Sequence, residues 1–263
     1  MTSPFFQVIF RTCDVVNSVH ATPRPFGLDK KTLIKVCFKT LVHSLRGMPH
    51  QIIVLGDKLS EEMQAFFSEY PVTLQMGDYG NDESIRQSVN IALECSDEHW
   101  VYFCEDDYLH RPETFQYISN FIQNKGSIIP EGKKEWFKKS NYHLSKANLV
   151  FHPPDYPDRY APQDREPFYI FHSEDCHWRQ VANVTFTFML QARVIKNYKK
   201  VFQASATGAN DGYLSKRLFR KRYHGKDNLC LSPLPGLSCH MHEGVLTPLI
   251  DWQAIVNSYL AEL

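Results

Sequence analysis

Three consecutive acidic residues stand directly after an apolar run near the middle of the chain. Glu105-Asp106-Asp107 follows residues 99–104, HWVYFC, whose composition is typical of a buried strand. Adjacent carboxylates repel one another unless a positive charge lies among them, and carboxylate oxygens are ligands that Mg²⁺ and Mn²⁺ take. The run therefore predicts a site for one of these divalent cations. The alternative is a solvated acidic stretch before a helix that Pro112 opens.

Two alternating histidines near the C-terminus are a second candidate group of ligands. His240 and His242 are separated by one residue, so their side chains point the same way if the backbone is extended. In a chain that already carries an acidic site, this pair predicts a histidine ligand to the cation. The spacing does not decide between the two, and a structural role is the alternative for each.

Another acid stands where a helical pattern begins. Asn210-Asp211 precedes a segment whose apolar spacing predicts a helix over residues 211–219. A carboxylate at a helix start can accept a proton from a bound hydroxyl group, or it can simply cap the helix. Both interpretations of Asp211 stay open. Glu174 and Asp175 form a second acidic pair and are a weaker candidate for the same proton-accepting role.

The elements that must position these residues alternate in type along the first half. Short β-branched and aromatic runs at 6–10, 51–55, 72–76 and 99–104 predict strands. Helical patterns between and after them start near Asp29, Ser60, Glu83 and Pro112. This alternation predicts βαβ units and a mostly parallel sheet, in which ligands bind at the carboxyl ends of the strands. The acidic run lies at such an end.

The second half has a different texture. Residues 125–167, rich in proline, lysine and tyrosine, predict a long irregular connection of the kind that forms binding loops. Strands are predicted at 168–171 and 181–190, and helices at 211–219 and 248–260. We expect residues 1–124 and 125–263 to form two halves of one compact domain.

Composition excludes several classes of protein. The 263 residues carry 29 basic and 29 acidic side chains, which is no basis for a general nucleic-acid binder. The seven cysteines are scattered and include no CxxC pair, so reduced thiols are expected rather than a zinc site. The sequence has no secretory signal or membrane-spanning run, which predicts a cytoplasmic location.

The acidic run in this setting resembles the Asp-x-Asp-like motif of the GT-A class of glycosyltransferases. The resemblance implies that Asp107 binds the metal, while Glu105 or Asp106 faces the ribose or a metal-bound water. Thr12, at the end of the first predicted strand, is the one residue shared with that family's first turn. Asp57, after the second predicted strand, would accept a hydrogen bond from the nucleobase.

Further residues take roles from the same resemblance. Residues 80–90 resemble the helix before the acidic motif, on which Arg86 would neutralise a phosphate. Residues 184–190, with Thr187, look like the acceptor-side strand, and Asp211 would be the catalytic base of an inverting enzyme. Glu174 and Asp175 would contact the acceptor, with Trp178 stacking on a sugar face. A histidine, His240 or His242, would complete the metal site.

The implied fold is α/β, a Rossmann-like GT-A fold with a mostly parallel central sheet flanked by helices and an acceptor-binding second half. The implied activity is transfer of a sugar from a nucleotide-diphosphate sugar to an acceptor hydroxyl with Mn²⁺ or Mg²⁺, in the synthesis of surface polysaccharide or another glycan. The partners would be that donor and a saccharide or lipid-linked saccharide acceptor, with peripheral association at the inner membrane face. A sugar nucleotidyltransferase and a non-catalytic nucleotide-sugar binding module are the alternatives.

Overall fold

A computed structural model describes residues 3–15, 24–124, 147–160, 170–219 and 228–263 of the chain. The strands in these ranges are β1 (Phe6–Thr12), β2 (His50–Asp57), β3 (Thr73–Gly77), β4 (Trp100–Glu105), β5 (Tyr108–His110), β6 (Asn148–Phe151), β7 (Ile170–His172), β8 (His177–Val181), β9 (Phe188–Gln191), β10 (Asn228–Leu234) and β11 (Ser238–His240). The helices are α1 (Lys30–Ser44), α2 (Glu61–Ser68), α3 (Gly80–Glu94), α4 (Thr114–Asn124), α5 (Ala192–Asn197), α6 (Lys199–Ser205), α7 (Asp211–Phe219) and α8 (Trp252–Leu260).

The larger of the two sheets in the described residues has nine strands in the order β3-β2-β1-β4-β9-β6-β10-β8-β7. β1, β2, β3 and β4 are parallel neighbours, and β6 and β10 pair in parallel. β9 runs antiparallel to both β4 and β6, and β8 runs antiparallel to both β10 and β7. Seven of the nine strands therefore point the same way, which confirms the predicted α/β class with a mostly parallel sheet flanked by helices.

The core lies on both faces of this sheet because alternate side chains of a strand point to opposite faces. On β4, Trp100 and Tyr102 pack into one apolar cluster with α1, α2 and α4. Val101 and Phe103 pack into a second cluster with residues of α5, α6 and α7. Burial on both faces explains why β4 is almost continuously apolar and why β1 contains the apolar run Val8–Phe10.

Local signals set the helix ends in the first half. The Asp29 side chain accepts a hydrogen bond from the Thr32 amide and caps α1, as a helix start near that residue predicts. Gly80, at the first position of α3, has φ of 67°, a left-handed conformation that favours glycine. All four strands and four helices predicted in this half are present, with ends shifted by a few residues.

The second half departs from its predicted elements in three places, and it also contains α5, α6, β10 and β11, which were not predicted. β6 lies within the predicted irregular connection, although residues 125–146 and 161–167 of that stretch lie outside the described residues. The strand predicted at 181–190 is two strands, because β8 ends at Val181 and β9 begins at Phe188. The C-terminal helix begins at Trp252, where Asp251 caps it, and not at residue 248.

The small second sheet pairs β5 with β11 in antiparallel register. It packs with α1 and α8 around a third apolar cluster that includes Leu109 and Cys239. All seven cysteines are free thiols, as expected from their scattered positions. In the described ranges, no helix is long and apolar enough to cross a membrane.

Candidate active site

The three consecutive acids have different surroundings. Glu105 ends β4, and its register partner on the parallel strand β1 is Arg11. The Arg11 guanidinium lies 2.6 Å from the Glu105 carboxylate and also donates hydrogen bonds to Asn81 and Ser84 of α3. Burial raises the pKa of Glu105, and Arg11 offsets only part of that effect. Glu105 is therefore tied to the wall between β1 and α3.

Asp106 holds the segment that follows β1. Its Oδ2 accepts hydrogen bonds from the Thr12 hydroxyl at 3.0 Å and from the Cys13 amide at 3.1 Å. Lys30, at the start of α1, lies 4.0 Å from the same oxygen. Burial raises the pKa of Asp106, while Lys30 and these two donors act to lower it. The carboxylate thus fixes the turn at the carboxyl end of β1.

Asp107 faces the two histidines. Its Oδ2 lies 3.1 Å from Nε2 of His242 and 3.4 Å from Nε2 of His240. These three residues are the group of potential metal ligands found within the described part of the chain. Asp107 and His242, which are 135 positions apart in the sequence, are therefore brought together at the same edge of the sheet.

Pairing of β5 with β11 in the small sheet places Asp107 beside the two histidines. In its antiparallel register Tyr108 opposes His240, and the Met241 amide donates to the Asp107 carbonyl at 2.8 Å. The Tyr108 ring stacks on the His240 ring with centroids 4.5 Å apart. On the far side of His240, Nδ1 lies 3.4 Å from the Tyr156 hydroxyl. A ring nitrogen that faces a hydroxyl group leaves Nε2 directed at Asp107, as expected of an oriented metal ligand.

The donor atoms fit a divalent cation. Ligands at about 2.1–2.3 Å from a metal lie roughly 3.0–3.6 Å from one another. The distances from Asp107 Oδ2 to the two imidazole nitrogens, 3.1 and 3.4 Å, fall in that range. One carboxylate oxygen and two imidazole nitrogens also leave coordination positions open for a ligand. The residues that would hold the ion are therefore Asp107, His240 and His242.

The electrostatics of the three residues agree with this assignment. Burial acts to raise the pKa of Asp107, but the two imidazoles more than offset it and hold that pKa well below its usual range. Burial acts to lower the pKa of His240, but the Asp107 and Glu105 carboxylates reverse this effect and raise it. The group thus carries a persistent negative charge that attracts either a proton or a metal ion.

We expect the affinity for Mn²⁺ to fall as the pH decreases through the raised pKa of His240. Below that pKa the imidazole binds a proton, which must leave before the nitrogen can bind a cation. If one proton is displaced, each further pH unit costs about tenfold in affinity. Calorimetric titration of Mn²⁺ between about pH 5.5 and about pH 8.5 measures this slope. A flat profile would contradict histidine ligation, and His240→Gln should weaken binding and reduce the slope.

A cleft of about 520 Å³ lies over these groups. Its walls come from the carboxyl ends of β1, β2 and β4, from the start of α3 and from the start of α7. Residues that line it include Arg11, Thr12, Arg24, Lys30, Asp57, Glu105, Asp106, Asp107, Phe186, Asp211, His240 and His242. Most of the predicted site residues therefore surround one cavity.

Asp211 lies on the cleft wall at the first position of α7. The helix is capped by its neighbour instead, since the Asn210 side chain accepts a hydrogen bond of 2.8 Å from the Tyr213 amide. Burial raises the pKa of Asp211 above its ordinary value. The Asp211 carboxylate is therefore free of the capping role and has the raised proton affinity that suits a base.

Asp57 and Thr12 line the same cleft but already have partners. The two Asp57 oxygens accept hydrogen bonds from the Tyr79 amide at 2.7 Å and from the Gly80 amide at 3.1 Å. Asp57 thus anchors the start of α3, and acceptance of a hydrogen bond from a nucleobase stays a prediction for its remaining lone pairs. The Thr12 hydroxyl likewise already has a partner, because it donates its hydrogen bond to Asp106.

Three predicted roles are wrong because of where the side chains lie. Arg86 forms an ion pair with Glu83 on the outer side of α3 and is not among the residues that line the cleft. Trp178 is 0% exposed and packs against Phe121 and Phe151, so its ring has no face for a sugar.

Thr187 is also fully buried, and its hydroxyl accepts a hydrogen bond of 3.1 Å from the Glu105 amide. It positions the end of β4 and cannot touch an acceptor.

Glu174 and Asp175 lie in the turn between β7 and β8, at the far edge of the sheet. Asp175 accepts hydrogen bonds from Asn120 of α4. Neither acid lines the cleft, so the structure does not bring them together with Asp211 or Asp107. Of the three acids considered for the role of base, Asp211 is the one that lines the cleft, and its role stays a prediction.

Sequence reasoning missed the cations of the cleft. Arg11 could have been found by aligning β1 with β4, because parallel register places it beside Glu105. Lys30 and Arg24 belong to the connection after β1 and the start of α1, and no local signal directs them to the acids.

No family model matches this chain, and no curated protein matches it. Its solved structural relatives include a protein from Bacillus anthracis described as a glucose-1-phosphate thymidylyltransferase. That structure, in complex with sucrose, is 13% identical over 98% of this chain and 96% of the other, with a TM-score of 0.51.

Two further matches have lower TM-scores. A CTP:phosphocholine cytidylyltransferase from Streptococcus pneumoniae is 10% identical over 97% of this chain and 99% of the other, with a TM-score of 0.46. A galactosyltransferase in complex with donor and acceptor sugar analogues is 9% identical over 85% of this chain and 72% of the other, with a TM-score of 0.42. At 13% identity the similarity to the structure from Bacillus anthracis shows the fold alone, which is the Rossmann-like α/β fold predicted from the sequence.

Proposed function

We propose that this protein is a metal-dependent glycosyltransferase of the GT-A class, which moves a sugar from a nucleotide-diphosphate sugar to an acceptor hydroxyl. One observation carries the proposal. Asp107 meets His240 and His242 in a cleft that is also lined by a separate acid with raised proton affinity, Asp211. A cation site beside a proton acceptor is what displacement of a diphosphate by a hydroxyl requires.

The triad of Asp107, His240 and His242 would hold the cation. When bound, the cation supplies positive charge for the diphosphate that leaves. Its two imidazole nitrogens favour Mn²⁺ over Mg²⁺, because Mg²⁺ demands oxygen ligands more strictly. Glu105 and Asp106 already have partners in Arg11 and in the Thr12–Cys13 turn, which leaves Asp107 for the metal. We propose Asp57 for contact with the nucleobase, at the α3 end of the cleft.

The chain's own chemistry is positioning and proton transfer. The acceptor hydroxyl oxygen forms a bond to the anomeric carbon, while the bond from that carbon to the diphosphate oxygen breaks. The leaving diphosphate keeps the electron pair, and Asp211 takes the proton of the hydroxyl. Attack on the face of the anomeric carbon opposite to the leaving diphosphate would invert the sugar. We propose a saccharide or lipid-linked saccharide as acceptor, at a cytoplasmic or inner-membrane location.

A sugar nucleotidyltransferase is the second candidate, and the structural similarity to the thymidylyltransferase of Bacillus anthracis favours it. Such an enzyme binds a nucleoside triphosphate and a sugar 1-phosphate and releases pyrophosphate. Its phosphate loop after the first strand is usually rich in glycine and basic residues. Residues 12–27 of this chain contain one glycine, Gly27, and one arginine, Arg24. This difference supports the glycosyltransferase.

Two parallel assays discriminate between the candidates. In the first, UDP-, GDP-, CDP-, ADP- and dTDP-sugars are incubated with the protein and Mn²⁺, and release of the nucleoside diphosphate is measured. In the second, the corresponding nucleoside triphosphates are incubated with sugar 1-phosphates, and release of pyrophosphate is measured. Thermal shift with each nucleoside diphosphate, with and without Mn²⁺, reports binding independently of turnover.

The proposal expects Mn²⁺-dependent release of a nucleoside diphosphate and Mn²⁺-dependent thermal stabilisation by that same nucleotide. Pyrophosphate release without turnover of any nucleotide sugar would establish the nucleotidyltransferase instead. Stabilisation without turnover in either assay would indicate a non-catalytic binding module. Absence of stabilisation by every nucleotide would overturn the donor site itself.

A further inference from the structure

The cations that line the cleft differ in what they already bind. Arg11 is paired with Glu105 at 2.6 Å, and Lys30 lies 4.0 Å from Asp106. Arg24, which precedes a short 3₁₀ turn at Pro25–Gly27, forms no ion pair within the described part of the chain. Its charge is therefore available to a ligand, whereas the charge of Arg11 is largely neutralised.

One nitrogen of Arg24 is also buried without a partner. Nη1 has essentially no solvent exposure, and no hydrogen-bond acceptor reaches it among the described residues. A buried donor that lacks an acceptor costs about 1–3 kcal/mol, and more when it is charged. Because the side chain lines the cleft, an acceptor that enters the cleft can remove this cost. The geometry thus points to an anionic ligand at Arg24.

Its position within the cleft indicates which part of a nucleotide it meets. Phe26, two residues after Arg24, packs against the third apolar cluster, whose members Cys239 and Met241 flank His240 of the metal triad. Arg11, by contrast, contacts Asn81 and Ser84 at the α3 end, where Asp57 also lies. Arg24 therefore belongs to the triad end of the cleft, and Arg11 to the end proposed for the base.

The charge balance of the cleft also favours a ligand-binding role for Arg24. Five carboxylates line it, from Asp57, Glu105, Asp106, Asp107 and Asp211, against the three cations Arg11, Arg24 and Lys30. One divalent cation offsets the difference of two charges, so a diphosphate still needs a positive group that is not already paired. Guanidinium groups bind phosphate oxygens in a bidentate manner and form strong charge-assisted hydrogen bonds.

We propose that Arg24 binds the terminal phosphate of a nucleoside diphosphate at the triad end of the cleft and so makes the site selective for diphosphates over monophosphates. This inference rests on the proposed function and assigns one phosphate contact within it. Arg24 would hold the same phosphate group as it leaves the sugar, and the bidentate contact would strengthen as negative charge develops there.

Nucleotide affinities in the presence of Mn²⁺ test the proposal. The probes are UDP, GDP, CDP, ADP and dTDP with their monophosphates, and the pair that the wild-type protein binds most tightly is carried forward. Arg24→Gln should weaken the diphosphate by about 10- to 100-fold and leave the monophosphate within about twofold. Arg24→Lys keeps the charge but loses the bidentate guanidinium, so its affinity for the diphosphate should lie between those of Arg24→Gln and the wild-type protein.

Arg86→Gln is the matched control. It makes the same chemical change on the outer side of α3, where Arg86 pairs with Glu83, so neither nucleotide should lose affinity. Mn²⁺ affinity without nucleotide should not decrease in Arg24→Gln, because a positive charge near the triad is removed.

Three results would overturn the inference. Equal losses for the diphosphate and the monophosphate would show a general effect on the cleft, and unchanged affinity for both would show that Arg24 makes no contact. In either case the proposed function stands, because the wild-type protein still binds a nucleoside diphosphate with Mn²⁺. Failure of the wild-type protein to bind any of the five diphosphates would instead overturn the function together with the inference.

Discussion

Asp107→Asn is expected to abolish metal-dependent nucleotide binding. The asparagine keeps the shape of the side chain but removes the charge between His240 and His242, which lie 3.4 and 3.1 Å from the Asp107 carboxylate. Loss of one of three protein ligands should weaken Mn²⁺ by about 100-fold or more, since even outer partners of a metal site cost roughly 10- to 100-fold. Calorimetry with Mn²⁺ and thermal shift with Mn²⁺ plus the bound nucleoside diphosphate measure the change.

The control is Asp97→Asn, an identical substitution at an exposed residue that pairs with Lys196. It should leave Mn²⁺ affinity unchanged. A second readout separates loss of a ligand from damage to the fold. Because the Asp107 carboxylate raises the pKa of His240, that pKa should fall in Asp107→Asn, and NMR titration of the imidazole would show the fall. Retained Mn²⁺ affinity in the folded variant would remove Asp107 from the metal site.

Asp211→Asn is expected to spare donor and metal binding and to remove transfer. The residue lines the cleft at the start of α7, outside the group of proposed metal ligands, and its only assigned task is to accept the proton of the acceptor hydroxyl. General base catalysis contributes about 10²–10⁴-fold, so transfer should slow by that factor at unchanged affinity for the nucleotide. Single-turnover transfer and nucleotide titration, performed on the same preparation, measure the two quantities.

Asn210→Ala separates catalysis from helix capping. Asn210 holds the cap of α7, so its loss should cost about 1 kcal/mol of folding free energy with little change in transfer. In the wild-type protein, transfer should also fall as the pH drops through the raised pKa of Asp211, because the protonated carboxyl cannot accept a proton. If Asp211→Asn transferred at the wild-type rate, the assignment of the base would be wrong.

The elements of the first half, residues 1–124, could be predicted closely because local sequence patterns determine them. β1, β2 and β4 are apolar runs bounded by polar turns, and α1 starts at its own capping residue, Asp29. The second half could not be predicted as well. β6 has only four residues and is followed closely by prolines, so its identity as a strand depends on pairing with β9 and β10, far away in the sequence.

The residue types of the site were predictable, but their partners were not. An acidic run and a His-x-His pair predict a cation site. That the two lie next to each other depends on the register of β5 with β11, which the local sequence does not contain. Trp178 shows the opposite case, since an aromatic residue beside acids has the same local sequence whether it faces a sugar or the core. No local sequence pattern indicates that Arg24 lines the cleft.

The position of β9 limits how this protein can move. β9 belongs to the second half of the chain, yet it is hydrogen-bonded to β4 of the first half on one side and to β6 on the other. The two halves therefore share one continuous hydrogen-bonded sheet. A hinge motion that separates them would have to break backbone hydrogen bonds of β9. We therefore expect a ligand to enter and leave the cleft through movements of the cleft rim and not through rotation of the two halves.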